Sequence, residues 1–130
     1  MMSKTPITGK ALIFLLFLCC SCSLVLAQRD LNFTTLTTKE GLSSNTVSVI
    51  WKDRTGLMWI GTNDGLNKFD GTNFSIYRHD AQDSTSIPAN EILSICEDHL
   101  GRMWVGTGGG GLAYYDRRHN AFISRSASAD

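Results

Sequence analysis

The sequence has no excess of either charge, with 12 basic and 12 acidic residues among 130. It therefore offers no electrostatic footprint for nucleic acid or for an anionic membrane surface. Usable cysteine is scarce as well: Cys19, Cys20 and Cys22 crowd into an apolar leader, so Cys96 stands alone in the remainder and no internal disulfide can form there. The three histidines, His79, His99 and His119, are spaced by 20 residues, far from the short ligand spacings of a zinc site. Neither a metal nor a cofactor is expected. The run Gly108-Gly109-Gly110-Gly111 lacks the Gly-Lys-Ser/Thr of a phosphate loop and leads into a strand, so it reads as a hairpin turn.

The leader itself is informative. Lys4 and Lys10 precede an apolar run from Ala11 to Leu18 that ends in small residues, the pattern of a signal peptide over residues 1–27. Val25-Leu26-Ala27 puts cleavage after Ala27, before polar Gln28-Arg29-Asp30. An uncleaved anchor is one alternative, since 11–27 reaches the short limit of the roughly 17–25 residues that span a bilayer, but only by including Ser21 and Ser23. Lipidation of Cys22 is another, opposed by Cys19 where a lipobox carries Leu. Each places the remainder outside the cytoplasm, periplasmic or otherwise extracytoplasmic. Without the leader, 10 basic residues face 12 acidic ones, a charge of −2.

Within residues 28–130 the strongest signal is self-similarity. The stretch 45–62 recurs as 90–107 at a constant offset of 45; after one inserted glycine, Gly65-Leu66-Asn67-Lys68-Phe69-Asp70 answers to Gly111-Leu112-Ala113-Tyr114-Tyr115-Asp116 at an offset of 46, and Phe74 answers to Phe122. Each copy divides into four short strands. In the first these are Val47–Lys52, Leu57–Gly61, Leu66–Phe69 and Phe74–Tyr77, separated by Asp53-Arg54-Thr55-Gly56, Asn63-Asp64-Gly65 and Asp70-Gly71. Four strands in roughly 40–50 residues is the period of a β-propeller blade. The expected fold is all-β: an incomplete ring of two blades, over 45–78 and 90–125. Asn32-Phe33-Thr34-Thr35-Leu36 resembles the fourth strand Asn73-Phe74-Ser75-Ile76-Tyr77, so 31–37 is expected to be an orphan strand that closes a ring by completing a different blade.

The compound pattern Glu40-Gly41-Leu42-Ser43-Ser44-Asn45, then Asp53-x-x-Gly56-x-x-Trp59-Ile60-Gly61-Thr62-x-x-Gly65-Leu66, resembles the two-component regulator propeller repeat. It returns as Asp98-x-x-Gly101-x-x-Trp104-Val105-Gly106-Thr107. The resemblance implies the N-terminal periplasmic sensor region of a hybrid two-component histidine kinase, in which propellers detect carbohydrate breakdown products. A ring needs about four blades or more, and nothing after Arg125 encodes a membrane span or a kinase. The expected partners are therefore the remaining blades of a longer chain and an oligosaccharide ligand, with no nucleic acid. The membrane is met only through an uncleaved signal or a part of the protein beyond this sequence.

Asp53 and Asp98 also resemble the Asp-box of sialidase propellers, but with one more residue before the glycine. They read as turn formers whose oxygens accept backbone N–H bonds, with no acid/base partner in view. The expected function is thus sensing, without catalysis in this chain. A propeller enzyme of the streptogramin-lyase type and a purely structural interaction propeller are the alternatives. Ligand contact is expected in the loops of one propeller face, with Asn63, Asp64, Gly108 and Gly109 as candidates.

Overall fold

The computed structural model describes residues 8–22 and 31–125, and the chain divides into two compact units, Met1–Thr34 and Thr35–Asp130. In the first, α1 (Gly9–Cys22) has 14 residues and spans about 21 Å at 1.5 Å per residue, short of the roughly 30 Å hydrocarbon core of a bilayer. No helix among the described residues is long and apolar enough to cross a membrane. Ala27 lies outside the described residues. Residues 31–37 form no strand: a strand is held by its ladder, and neither of the two sheets pairs with this segment.

The second unit holds two antiparallel sheets of four strands each, in the orders β1-β2-β3-β4 and β5-β6-β7-β8. The strands are β1 (Val47–Lys52), β2 (Met58–Thr62), β3 (Gly65–Phe69), β4 (Phe74–Tyr77), β5 (Ile92–Glu97), β6 (Met103–Thr107), β7 (Gly111–Asp116) and β8 (Ala121–Arg125). The repeat extends to irregularities. Both first strands carry a bulge at the same place, between Val47 and Val49 and between Ile92 and Ser94, and a bulge re-aims the extra residue. Ser48 thereby donates to the carbonyl of Gly61 in its own blade and to that of Ile92 in the next.

The core is the seam between the two blades. From blade one Trp59 and Leu66, and from blade two Ile92, Ile95, Met103, Val105, Ala113, Tyr115 and Phe122, are buried together with Ile87 of the linker. Gly61 lets this happen: a Cβ there would stand 2.5 Å from Ile92 Cγ2 and 2.6 Å from Val49 Cγ1. The other face of blade one is covered by its own approach segment, where Leu42 is buried. There Ser43 N donates to Asn67 Oδ1 at 2.8 Å and Asn67 Nδ2 donates to Ser43 Oγ at 2.8 Å.

Each signature aspartate holds its own hairpin and its own tryptophan. Asp53 Oδ1 accepts from Thr55 N, Thr55 Oγ1 and Leu57 N, while Oδ2 accepts from Trp59 Nε1 at 2.8 Å. Asp98 repeats the arrangement with Leu100 N and Arg102 N on Oδ1 and Trp104 Nε1 on Oδ2 at 3.0 Å. Gly56 and Gly101 complete the turns at φ of 90° and 79°, a left-handed conformation that costs glycine least. Asp53 also reaches across the seam, with Arg117 Nη1 of blade two at 3.0 Å. Beside it Arg54 Nε meets Glu97 Oε1 at 3.0 Å.

Burial alone would raise the pKa of Asp53, but the Thr55 hydroxyl, the Trp59 indole and the Arg117 guanidinium outweigh it and bring it down to about 2. A depressed folded-state pKa gives stability that is complete above the unfolded value of 3.8 and is lost as pH falls through about 2. Asp53→Asn should therefore be less stable than the unmodified chain by about 2 kcal/mol at neutral pH. In urea titrations across the acid range this gap should close as pH falls. Gly61→Val should cost about 1–3 kcal/mol by overpacking against Ile92, read as a lower urea midpoint with an unchanged slope.

Candidate functional site

The hairpin turns between second and third strands lie at one end of the blade pair, and the register repeated in both blades puts them there. Thr62 Oγ1 donates to Gly65 O at 3.0 Å and Thr107 Oγ1 to Gly111 O at 2.9 Å, closing each turn from inside. The turns then bind the segments that lead into first strands: Asn63 N donates to Thr46 O, Gly65 N to Asn90 O and Gly108 N to Glu91 O. Asn90 and Glu91 are adjacent, so they tie the two turns together. All four candidate residues, Asn63, Asp64, Gly108 and Gly109, thus belong to the same end of the blade pair.

The glycine tract is more constrained than a plain flexible turn. Gly110 is pressed against Pro88, whose backbone carbon would stand 2.6 Å from an added Cβ, and Gly108 lies against the Glu91 carboxylate. Gly109, with φ of 80°, has open space around it. In blade one the turn presents Asn63, exposed, and Asp64, which pairs with Arg78 Nη2 at 3.0 Å.

Arg78 links that turn to a cleft of about 340 Å³ at the outer strands of the seam, lined also by Tyr77, Asp83, Thr85, Asn120 and Phe122. The volume lies within the roughly 300–1,000 Å³ typical of small-ligand sites. Asn120, the one non-glycine residue with positive φ among those described (51°), aims its Oδ1 at two phenols, accepting from Tyr77 Oη and Tyr115 Oη at 2.7 Å each. Lys68 Nζ sits among the rings of Trp59, Tyr77 and Tyr115 at 5.6–5.9 Å. Apolar ring faces beside amide, hydroxyl, carboxylate and guanidinium groups suit a ligand rich in hydroxyls.

Sequence reasoning missed this cleft because Arg78, Thr85 and Asn120 lie in loops that do not repeat. It also missed the repeated asparagine, whose signal was present: Asn45 Oδ1 accepts from Thr38 N at 2.9 Å and Asn90 Oδ1 from His79 N at 2.7 Å. Both amides anchor the segment leading into a first strand. The signature residues, by contrast, are committed to architecture. Asp98, like Asp53, is held well below the usual carboxylate range, first by the Trp104 indole N–H and, against the opposing effect of burial, by the Arg102 contacts. Neither can hold a proton near neutrality. His79, His99 and His119 lie in separate loops, and no group of three or more metal-binding side chains occurs among the described residues.

Residues 86–109, from the linker through β6, match the family model for the two component regulator propeller. Over 73 residues, or 56% of its length, the chain is 45% identical to histidine kinase P4 of Formosa agariphila. It is also similar to the crystal structure of the extracellular domain of a hybrid two component system from B. thetaiotaomicron, at 35% identity and a TM-score of 0.63 over 69% of this chain. The chain spans 5% of the first relative and 13% of the second. An Asp-x-x-Gly-x-x-Trp hairpin that recurs in register and folds as successive four-stranded blades makes the chain similar to the two-component regulator propeller repeat, which the family model matches over residues 86–109.

Proposed function

We propose that this chain is a stretch of an extracytoplasmic sensor propeller in a two-component signalling protein, and that its ligand is a carbohydrate fragment bound without chemical conversion. The observation that carries the reading is the cleft at Arg78, where the blade-one turn and the seam between blades meet. Polar groups of Arg78, Asp83, Thr85 and Asn120 line it beside the aromatic faces of Tyr77 and Phe122, and Asp64 of the neighbouring turn pairs with Arg78. The relatives support the signalling part of the reading: one is named a histidine kinase and the other an extracellular domain of a hybrid two component system. Commitment of both signature carboxylates to the tryptophan hairpins favours binding over acid–base chemistry.

Calorimetry of the protein containing these blades against neutral and acidic oligosaccharides tests the proposal. Binding is expected, with Arg78→Ala and the Asn63→Ala/Asp64→Ala pair each weakening it by about tenfold or more, the loss of a charged hydrogen bond, while thermal unfolding stays within a few degrees. Release of a shortened or unsaturated sugar product would instead assign an enzyme. No binding heat with any oligosaccharide would sink the carbohydrate reading.

A further inference from the structure

Asn120 is held in a way that decides which of its atoms a ligand would meet. It sits in the β7–β8 turn at a φ of 51°, a left-handed conformation that asparagine and aspartate tolerate better than most side chains. Both phenols lie 2.7 Å from its Oδ1, the length of an O–H···O bond rather than the roughly 2.9–3.0 Å of N–H···O. The amide oxygen therefore faces Tyr77 and Tyr115 and accepts from each through one lone pair. Both Nδ2 hydrogens are left without a partner among the described residues, on a side chain that lines the Arg78 cleft.

The phenols connect that amide to a cation. Lys68 has no ion-pair partner among the described residues. Its Nζ lies 5.6 Å from the centre of the Tyr77 ring and donates to Tyr115 Oη through a long 3.5 Å contact. Lys68 N–H, Tyr115 O–H and the Asn120 amide thus form one chain in which every donor points the same way. Hydrogen bonds in such a chain polarise one another, so the cation at one end makes the Nδ2 hydrogens at the other better donors.

The remainder of the cleft is equally asymmetric. Arg78 donates from Nε and Nη2 to Asp64 Oδ2 at 3.3 and 3.0 Å, which leaves Nη1. Asp83 accepts at Oδ1 from Thr85 N and Oγ1, at 2.9 and 2.6 Å, which leaves Oδ2. The loop that carries Asp83 is itself pinned to β8, because Phe122 N donates to Thr85 O at 2.8 Å. The unused donors are therefore the Asn120 amide and Arg78 Nη1, and the unused carboxylate oxygen is Asp83 Oδ2.

We infer that the cleft selects acidic sugars: the carboxylate of a uronate lies on the Asn120 and Arg78 side, with Lys68 a positioning residue behind Asn120, while Asp83 takes a hydroxyl of the same ligand. The inference rests on the carbohydrate reading and narrows it. A carboxylate presents acceptors only, in one plane, and suits the planar amide and guanidinium N–H groups. Turned the other way it would meet the like charge of Asp83, so the sugar has one orientation.

Calorimetry of the full protein that carries these blades tests this with galacturonate, glucuronate and mannuronate tetrasaccharides, each as free acid and as methyl ester, beside an N-acetylglucosamine tetrasaccharide. At least one free acid should bind about tenfold or more tighter than its ester, the gain of a charge-assisted bond, and tighter than the acetylated sugar. Asn120→Asp keeps an acceptor for both phenols and a residue that tolerates positive φ, so thermal unfolding should stay within a few degrees. It should weaken the acid by about tenfold or more and abolish the preference for acid over ester. Lys68→Met, which keeps an unbranched stem among the rings, should lower that preference by about twofold to threefold, a readout that packing alone would not move. Equal binding of acid and ester, tighter binding of the acetylated sugar, or a preference unchanged in Asn120→Asp would overturn the inference and leave the carbohydrate reading standing. Binding of no sugar at all would overturn both.

Discussion

A carboxylate buried beside a seam of aromatic and aliphatic side chains must be met by hydrogen-bond donors, because an unpaired charge in such a place is strongly destabilising. Asp53 meets this constraint with five donors: two from Thr55, one each from Leu57 and Trp59, and the guanidinium of Arg117. One carboxylate thereby fixes the hairpin between first and second strands, the orientation of the largest buried side chain, and the contact of the next blade. Asp98 fixes the same hairpin and tryptophan in the second copy. The spacing Asp-x-x-Gly-x-x-Trp follows from this geometry: the glycine closes the turn, and the tryptophan lands on the second strand within reach of the free carboxylate oxygen.

From that anchor the remainder of the architecture follows in steps. With Trp59 fixed, its ring meets Tyr115 edge-on at 5.0 Å and stacks near Tyr77 at 6.0 Å, which sets the outer strands of the two blades against each other. Asn120 then bridges the two phenols, and the cleft containing Arg78 opens beside them. The turn end is positioned independently, by the threonines of the signature and by Asn90 and Glu91. The repeated residues thus hold the blades, while Arg78, Thr85 and Asn120 at the cleft lie in loops that do not repeat.

This division explains what could be read from the sequence. The four-strand blade was legible because turn residues punctuate it, and Phe74–Tyr77 was bounded correctly. The second strand begins at Met58 rather than Leu57, because the Leu57 carbonyl and N–H both close the turn onto Asp53. The third begins at Gly65, which pairs with Thr62. Asp53 and Asp98 were legible as turn formers, while their bonds to the indoles of Trp59 and Trp104 were not, since a side chain to side chain contact leaves no trace in turn chemistry. Arg117 and Asn120 were invisible for a different reason. They lie in a β7–β8 turn two residues longer than its counterpart between Asp70 and Phe74, so no alignment of the copies points to them.

The account stands on the coupling between the signature carboxylate and the indole. The most direct measurement is a double-mutant cycle of Asp53→Asn and Trp59→Phe by equilibrium urea unfolding, with phenylalanine keeping the ring and removing only the N–H. A coupling energy of about 2 kcal/mol is expected, the size of a hydrogen bond to a charged group. Additivity within about 0.5 kcal/mol would show that the two residues act separately and would contradict the claim that the fold is organised around their bond.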